Sequence, residues 1–123
     1  MESERFPSTR RLRRRREFQR VFDGARRAQG RFLTVLAASN TTGQARLGIV
    51  ASRKLGDAVR RNRAKRLIRE IFRRSNRPGT GGVDIVVIPR RELFDASYST
   101  LEIDFHGTLR RCTSRLGSDA GRR

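Results

Sequence analysis

Ser52-Arg53-Lys54-Leu55-Gly56-Asp57-Ala58-Val59-Arg60-Arg61-Asn62-Arg63-Ala64-Lys65-Arg66-Leu67-Ile68-Arg69-Glu70 is the stretch that decides how the rest of the chain is read. Gly56-Asp57 supplies a turn and then a helix N-cap, because the Asp57 carboxylate can accept from the free N–H groups of a first turn. No Gly or Pro interrupts the run from Ala58 to Arg74, and Pro78-Gly79 stops it. At about 100° per residue, Ala64, Leu67, Ile68 and Ile71 share one face, with Val59 and Phe72 at its edges. Asn62, Lys65, Arg66, Arg69 and Arg73 fall together on the opposite face, flanked by Arg61 and Arg63. From Arg53 to Arg74 there are ten basic residues and two acids, a local net charge of +8.

A run of charge on a helix is commonly a solvated face. Two features argue for a polyanion here. Glu70, four residues after Arg66, is the only acid near enough to neutralise the row by helical pairing. An uncharged amide, Asn62, sits inside the row and offers both donor and acceptor to a phosphate, a 2′-hydroxyl or a hydrated metal ion. The whole chain agrees in sign, with a net charge of +18 over 123 residues, which opposes compaction and calls for an anionic partner. Of its 30 basic residues all but Lys54 and Lys65 are arginine, the side chain suited to forked phosphate contacts and to stacking on bases.

Outward from the helix, Arg10–Arg16 is a basic arm, either solvated or in contact with RNA. A short helix follows over Glu17–Phe22, ended by Gly24, with Phe18, Val21 and Phe22 on one sticky side. Either both rings are core, or at least one lines a cleft and takes an unstacked base. Arg31–Ala38 and Arg46–Ser52 read as strands, and the turn Asn40-Thr41-Thr42-Gly43 between them predicts a hairpin. Arg77–Gly82 reads as a flexible connector. Val83–Ile88 is apolar nearly throughout, as in a strand covered on both faces, and Pro89 ends it. A last helix over Ser97–Leu116 carries the stripe Tyr98, Leu101, Phe105, Leu109, Cys112 and Leu116, with Gly107 in its middle. The order α-β-β-α-β-α implies a two-layer α/β (α+β) sandwich, one small sheet with helices packed on it. One domain is expected over 10–116, with residues 1–9 disordered and 117–123 a frayed tail.

The chemistry absent from the chain narrows its function. The single His106 lies inside a helix, no Cys/His set has zinc spacing, and no phosphate-loop or dinucleotide fingerprint occurs. Acids are scarce and scattered, whereas a protein nuclease normally needs clustered carboxylates for its ions. The lone Cys112 excludes an internal disulfide and reads as a buried structural thiol. No apolar run approaches the ~20 residues that span a bilayer, and the N-terminus lacks the apolar core of a signal peptide. A cytoplasmic binder is expected, with neither a membrane nor a small molecule as its target. A membrane-surface helix is disfavoured by the narrow aliphatic face, which has no Trp.

Arg61-Asn62-Arg63, continuing into Lys65-Arg66-Leu67-Ile68-Arg69-Glu70, resembles the signature of the bacterial ribonuclease P protein component. Phe18-Gln19-Arg20-Val21-Phe22, Arg31-Phe32-Leu33, Leu47-Gly48-Ile49-Val50 and Asp84-Ile85-Val86-Val87-Ile88-Pro89-Arg90 resemble further segments of that family. The resemblance covers about residues 10 to 112. It implies a ribonucleoprotein that removes the 5′ leader of precursor tRNA, with catalysis by its RNA subunit using magnesium ions (Mg2+). It also implies a left-handed βαβ crossover, against the usual right-handed rule. Carried over by position, Arg53, Lys54, Arg61, Asn62, Arg63, Lys65, Arg66, Arg69 and Arg73 would face the catalytic RNA, and Phe18 and Phe22 the leader of the precursor tRNA. The metal ligands are left open, with Asn62 a candidate that depends on RNA. The chain departs from the family at Val35, where members often carry a Tyr. The readings that compete are a structural RNA-binding protein of ribosomal type and a protein-only nuclease.

Overall fold

The computed structural model describes residues 11–24, 26–75 and 82–121. Helix α1 spans Arg15–Gly24 and begins without a Ser, Thr or Asp cap. Its start is closed instead by Glu17, whose Oε1 accepts from the N–H groups of Arg13 (2.8 Å) and Arg14 (2.9 Å), while the Arg14 carbonyl accepts from Glu17 N–H (2.9 Å). This is the reciprocal half of a capping box, and it holds the Glu17 carboxyl below the usual carboxylate range, chiefly through the Arg14 N–H.

Four strands follow: β1 (Arg26–Gln29), β2 (Leu33–Ser39), β3 (Arg46–Ile49) and β4 (Val83–Pro89). They form one mixed sheet in the order β1-β2-β4-β3. Strand β1 is an addition to the expected order. It pairs antiparallel with β2, Arg26 opposite Ala37 and Gln29 opposite Thr34. The expected hairpin of β2 with β3 does not form. Strand β4 lies between them, antiparallel to β2 (Leu33 opposite Pro89) and parallel to β3 (Arg46 opposite Asp84). Asn40 explains why the turn signal misled. Its Oδ1 caps Thr42 N–H (3.0 Å), but its Nδ2 reaches Gln44 O (2.9 Å) and Asp84 Oδ1 (2.6 Å), so the loop is tied to β4.

Helix α2 (Ala58–Ser75) makes the crossover between parallel β3 and β4. The predicted cap is in place: Asp57 Oδ1 accepts from Arg60 N–H at 3.0 Å and Asp57 O from Arg61 N–H at 3.0 Å. Gly56, at φ +128°, makes the turn before it. Helix α3 (Tyr98–Gly121) starts at Ser97, whose Oγ accepts from Thr100 N–H, and runs past the expected end at Leu116. Gly107 does not break it. The expected disorder of residues 1–9 and the connector up to Gly81 lie outside the described residues.

Period-two alternation sorts the strands' side chains onto two faces. Leu33, Val35, Ala37, Leu47, Ile85 and Val87 meet Ala64, Ile68, Ile71 and Phe72 of α2 and Leu101, Phe105 and Cys112 of α3. Leu36, Ala38 and Val86 meet Val21 of α1 and Leu12, with Phe18, Val50 and Ile88 alongside. Strand β4 is thus covered on both faces, as its apolar run implied. The Cys112 thiol is buried and donates to Arg26 O at 3.1 Å, the structural role expected of it.

Candidate nucleic-acid interface

The geometry that puts Ala64, Ile68 and Ile71 at zero exposure turns the other side of α2 outward. Asn62, Lys65, Arg66, Arg69 and Arg73 line one open groove of about 360 Å³, together with Glu70 and Arg11. The helical wheel therefore placed five residues correctly. It could not have supplied Arg11, which comes from the basic arm. Arg11 bridges to Leu47 in parallel, and Leu12 N–H donates to Leu47 O at 2.8 Å, extending the sheet beyond β3. That short pairing adds a fifth cation to the groove from outside α2.

Five cations in this groove face one carboxylate, and that carboxylate is engaged. Glu70 accepts from Arg73 (Nη2 to Oε2, 2.8 Å) and Arg74 (Nε to Oε2, 2.9 Å) rather than pairing with Arg66 as sequence spacing suggested. Its pKa is lowered, first by the Arg73 hydrogen bond. Arg69 feels the crowding: partial burial pulls its pKa down from the ordinary arginine value, and the Arg11 charge adds to the effect. Like charges held together in this way are relieved by an anion.

The remaining predicted residues surround the groove without lining it. Arg53 and Lys54 are exposed on a 3-10 turn (Arg53–Leu55) whose start is capped by Ser52 Oγ accepting from Lys54 N–H at 3.3 Å. Arg63 is exposed. Arg61 is half-buried, and its Nε is buried without a partner among the described residues.

On the other face of the sheet, Phe18 is half-buried and Phe22 is 41% exposed, so the two rings are not both core. Phe18 approaches β3 so closely that a Cβ at Gly48 would stand 2.6 Å from its ring. Gly48, inside the apolar run Arg46–Ser52, is the sequence signal of that close approach. Val35 does not belong to this surface. It is fully buried among the α2 and α3 contacts, while Thr34 and Leu36 take the α1 side of β2. The Val35 departure therefore removes nothing from the neighbourhood of Phe18 and Phe22. The groove and this aromatic face adjoin at consecutive residues: Arg11 lines the first, Leu12 packs in the second.

Magnesium prefers several hard oxygen ligands. No group of three or more His, Cys, Asp or Glu that could hold a metal ion occurs among the described residues. Asn62 stands among cations, and Glu70 is already paired. Among the described residues, the donors in the groove do not fit a magnesium site. No helix among the described residues is long and apolar enough to cross a membrane.

Comparison with known proteins converges on one family. The family model described as Ribonuclease P matches residues 6–113. The ribonuclease P protein component of Thermotoga maritima is 46% identical over 91 residues, covering 74% of this chain and 78% of that protein. The Petrotoga mobilis protein of the same name is 39% identical over 93 residues, 76% and 79% of the two chains. Among solved structures, the RNase P protein from Thermotoga maritima superposes with a TM-score of 0.73 at 41% identity, over 82% of this chain and 96% of that one. The Staphylococcus aureus RNase P protein gives 0.74 at 31% identity, over 82% and 93%. A match along most of the chain, in sequence and in fold, makes this protein a member of the ribonuclease P protein component family.

Proposed function

We propose that this protein assists the removal of the 5′ leader from precursor tRNA by binding two RNAs at once. The groove of α2 grips the catalytic RNA subunit through Arg11, Lys65, Arg66, Arg69 and Arg73, with Asn62 reading a phosphate or 2′-hydroxyl beside them. Arg53, Lys54, Arg61 and Arg63 extend the contact around its rim. Phe18 and Phe22 take unstacked bases of the leader, a sequence-tolerant contact in which stacking is worth about 1–3 kcal/mol per base. Bond breaking belongs to the RNA subunit. Magnesium would be held there by RNA oxygens and would supply Lewis-acid chemistry, while this chain's residues bind and position the RNA. The setting is the cytoplasm.

The observation that carries this reading is the groove itself, where five cations converge and the one carboxylate is already spent on Arg73 and Arg74. The test is reconstitution with the cognate catalytic RNA at low magnesium. A clear gain in the rate of leader removal over RNA alone is expected, with no cleavage by the protein alone. No gain with the RNA would overturn the assignment in favour of a purely structural RNA-binding role. Cleavage by the RNA-free protein would place the chemistry in the protein.

A further inference from the structure

Helix α1 carries the two proposed leader-contacting rings, yet of its ten residues only Val21 is fully buried. Apolar packing alone leaves its position along the sheet weakly specified. A second set of contacts supplies what is missing. Glu17 and Arg20 stand one helical turn apart with opposite charges. Arg46 and Asp84, also opposite in charge, are direct cross-strand partners on β3 and β4. With the backbone of α1 joining Glu17 to Arg20, the four close a ring. Glu17 Oε2 meets Arg46 Nη1 at 3.2 Å, and Arg20 Nη2 meets Asp84 Oδ2 at 2.7 Å. Arg46 grips Asp84 with two prongs, Nε to Oδ1 at 2.8 Å and Nη2 to Oδ2 at 2.9 Å. Asp84 has no exposed side-chain surface, and Asn40 Nδ2 donates to its Oδ1.

From this arrangement we propose that the Glu17–Arg46–Asp84–Arg20 ring is the positioning device that sets where Phe18 and Phe22 stand for the leader. The alternation of sign makes it a register lock. A slide of α1 by one turn, about 5.4 Å, would bring Arg20 to the place of Glu17 and set it against Arg46. Like charges would then meet over a buried carboxylate that had lost a partner. Phe18 follows Glu17 directly and Phe22 lies two residues after Arg20, so the rings move with the lock. Arg20 and Asp84 act here through the aromatic pair and not by touching RNA. The inference rests on the leader reading of Phe18 and Phe22.

The experiment uses the particle reconstituted with its catalytic RNA and measures affinity for precursor and for mature tRNA. Arg20→Gln lowers the precursor-over-mature ratio about tenfold, since misplacement of a contacting group by about 1 Å can cost up to 100-fold. Affinity for mature tRNA and for the catalytic RNA stays as in the parent. Arg20→Lys, which keeps a charge within reach of Asp84, restores most of the ratio. In a Phe18→Ala/Phe22→Ala background Arg20→Gln changes the ratio little further, because the ring acts through those two side chains. Two losses that multiply would mean that Arg20 contacts RNA itself and would overturn the proposal. So would an equal loss for both tRNAs in step with a lower melting temperature, the mark of a merely structural role. If Phe22→Ala lowers the ratio and Arg20→Gln does not, the lock fails and the leader reading stands. If neither Phe18→Ala nor Phe22→Ala moves it, both fail.

Discussion

On one face of the sheet eighteen buried residues form the core shared with α2 and α3; on the other, five residues join α1 to the strands, among those described. The first face is held by apolar area and leaves its polar work to the far side of α2. The second has too little area to be held that way and adds ion pairs that converge on Asp84. If the α2 groove binds RNA as proposed, stability and recognition are separable on that side, because opposite faces of one helix carry them. On the α1 side they would merge, because Phe18 packs against the small core and is also one of the two rings proposed to meet the leader. Substitutions should expose this difference.

The largest effect on stability is expected at Ile68, with zero exposure in the middle of α2. Ile68→Ala removes buried methylenes and leaves a cavity, a change worth about 2–5 kcal/mol. Chemical denaturation should register it as a lower midpoint with unchanged slope. RNA affinity of the folded fraction should hold, since no groove residue moves. A comparable loss from Val21→Ala would erase the contrast between the two faces.

That helix was legible in the sequence for a physical reason. Its cap, its apolar periodicity and its cationic row are all local, set by residues within a few turns of one another. The strand β1 was not legible, because Arg26-Arg27-Ala28-Gln29 has one apolar residue, and Ala28 alone is buried. It is a strand because β2 offers it an edge. The insertion of β4 between β2 and β3 was hidden for the same kind of reason. The turn at Asn40 looks local, but its decisive bond is to Asp84, 44 residues away. Arg11 in the groove and the Asp84 ring are likewise products of distant strand pairing. Asp84 was visible as an acid inside a strand, with nothing to say that three side chains would surround it.

The α1 face should be the acid-sensitive one. Burial pushes Asp84 toward protonation, but the hydrogen bonds from Arg46, Asn40 and Arg20 outweigh it and leave its pKa below the ordinary value. Glu17 is lowered too. A carboxylate with a depressed pKa in the folded state binds fewer protons there than when unfolded. Its stabilisation is present in full above the unfolded value of roughly 4 and is lost as pH falls through the lower folded one. Asp84→Asn should cost about 2 kcal/mol at neutral pH, the scale of a lost hydrogen bond to a charged group. It should also flatten the fall in melting temperature as pH drops below roughly 4. A parent and variant with parallel acid limbs would show that Asp84 titrates no differently folded than unfolded.

The smallest effect on stability, and the sharpest on binding, belongs to Arg66. It is exposed, lines the groove, and has no part in either core. Arg66→Ala should change folding stability by no more than about 0.5 kcal/mol. If Arg66 meets a phosphate of the catalytic RNA, each such contact contributes roughly 0.7–0.9 to the slope of log affinity against log salt. The variant should bind more weakly at every salt concentration and with a slope shallower by that amount. An unchanged slope with weaker binding would assign Arg66 to a base or a sugar instead. Unchanged affinity would leave the groove to the other cations that line it, Arg11, Lys65, Arg69 and Arg73.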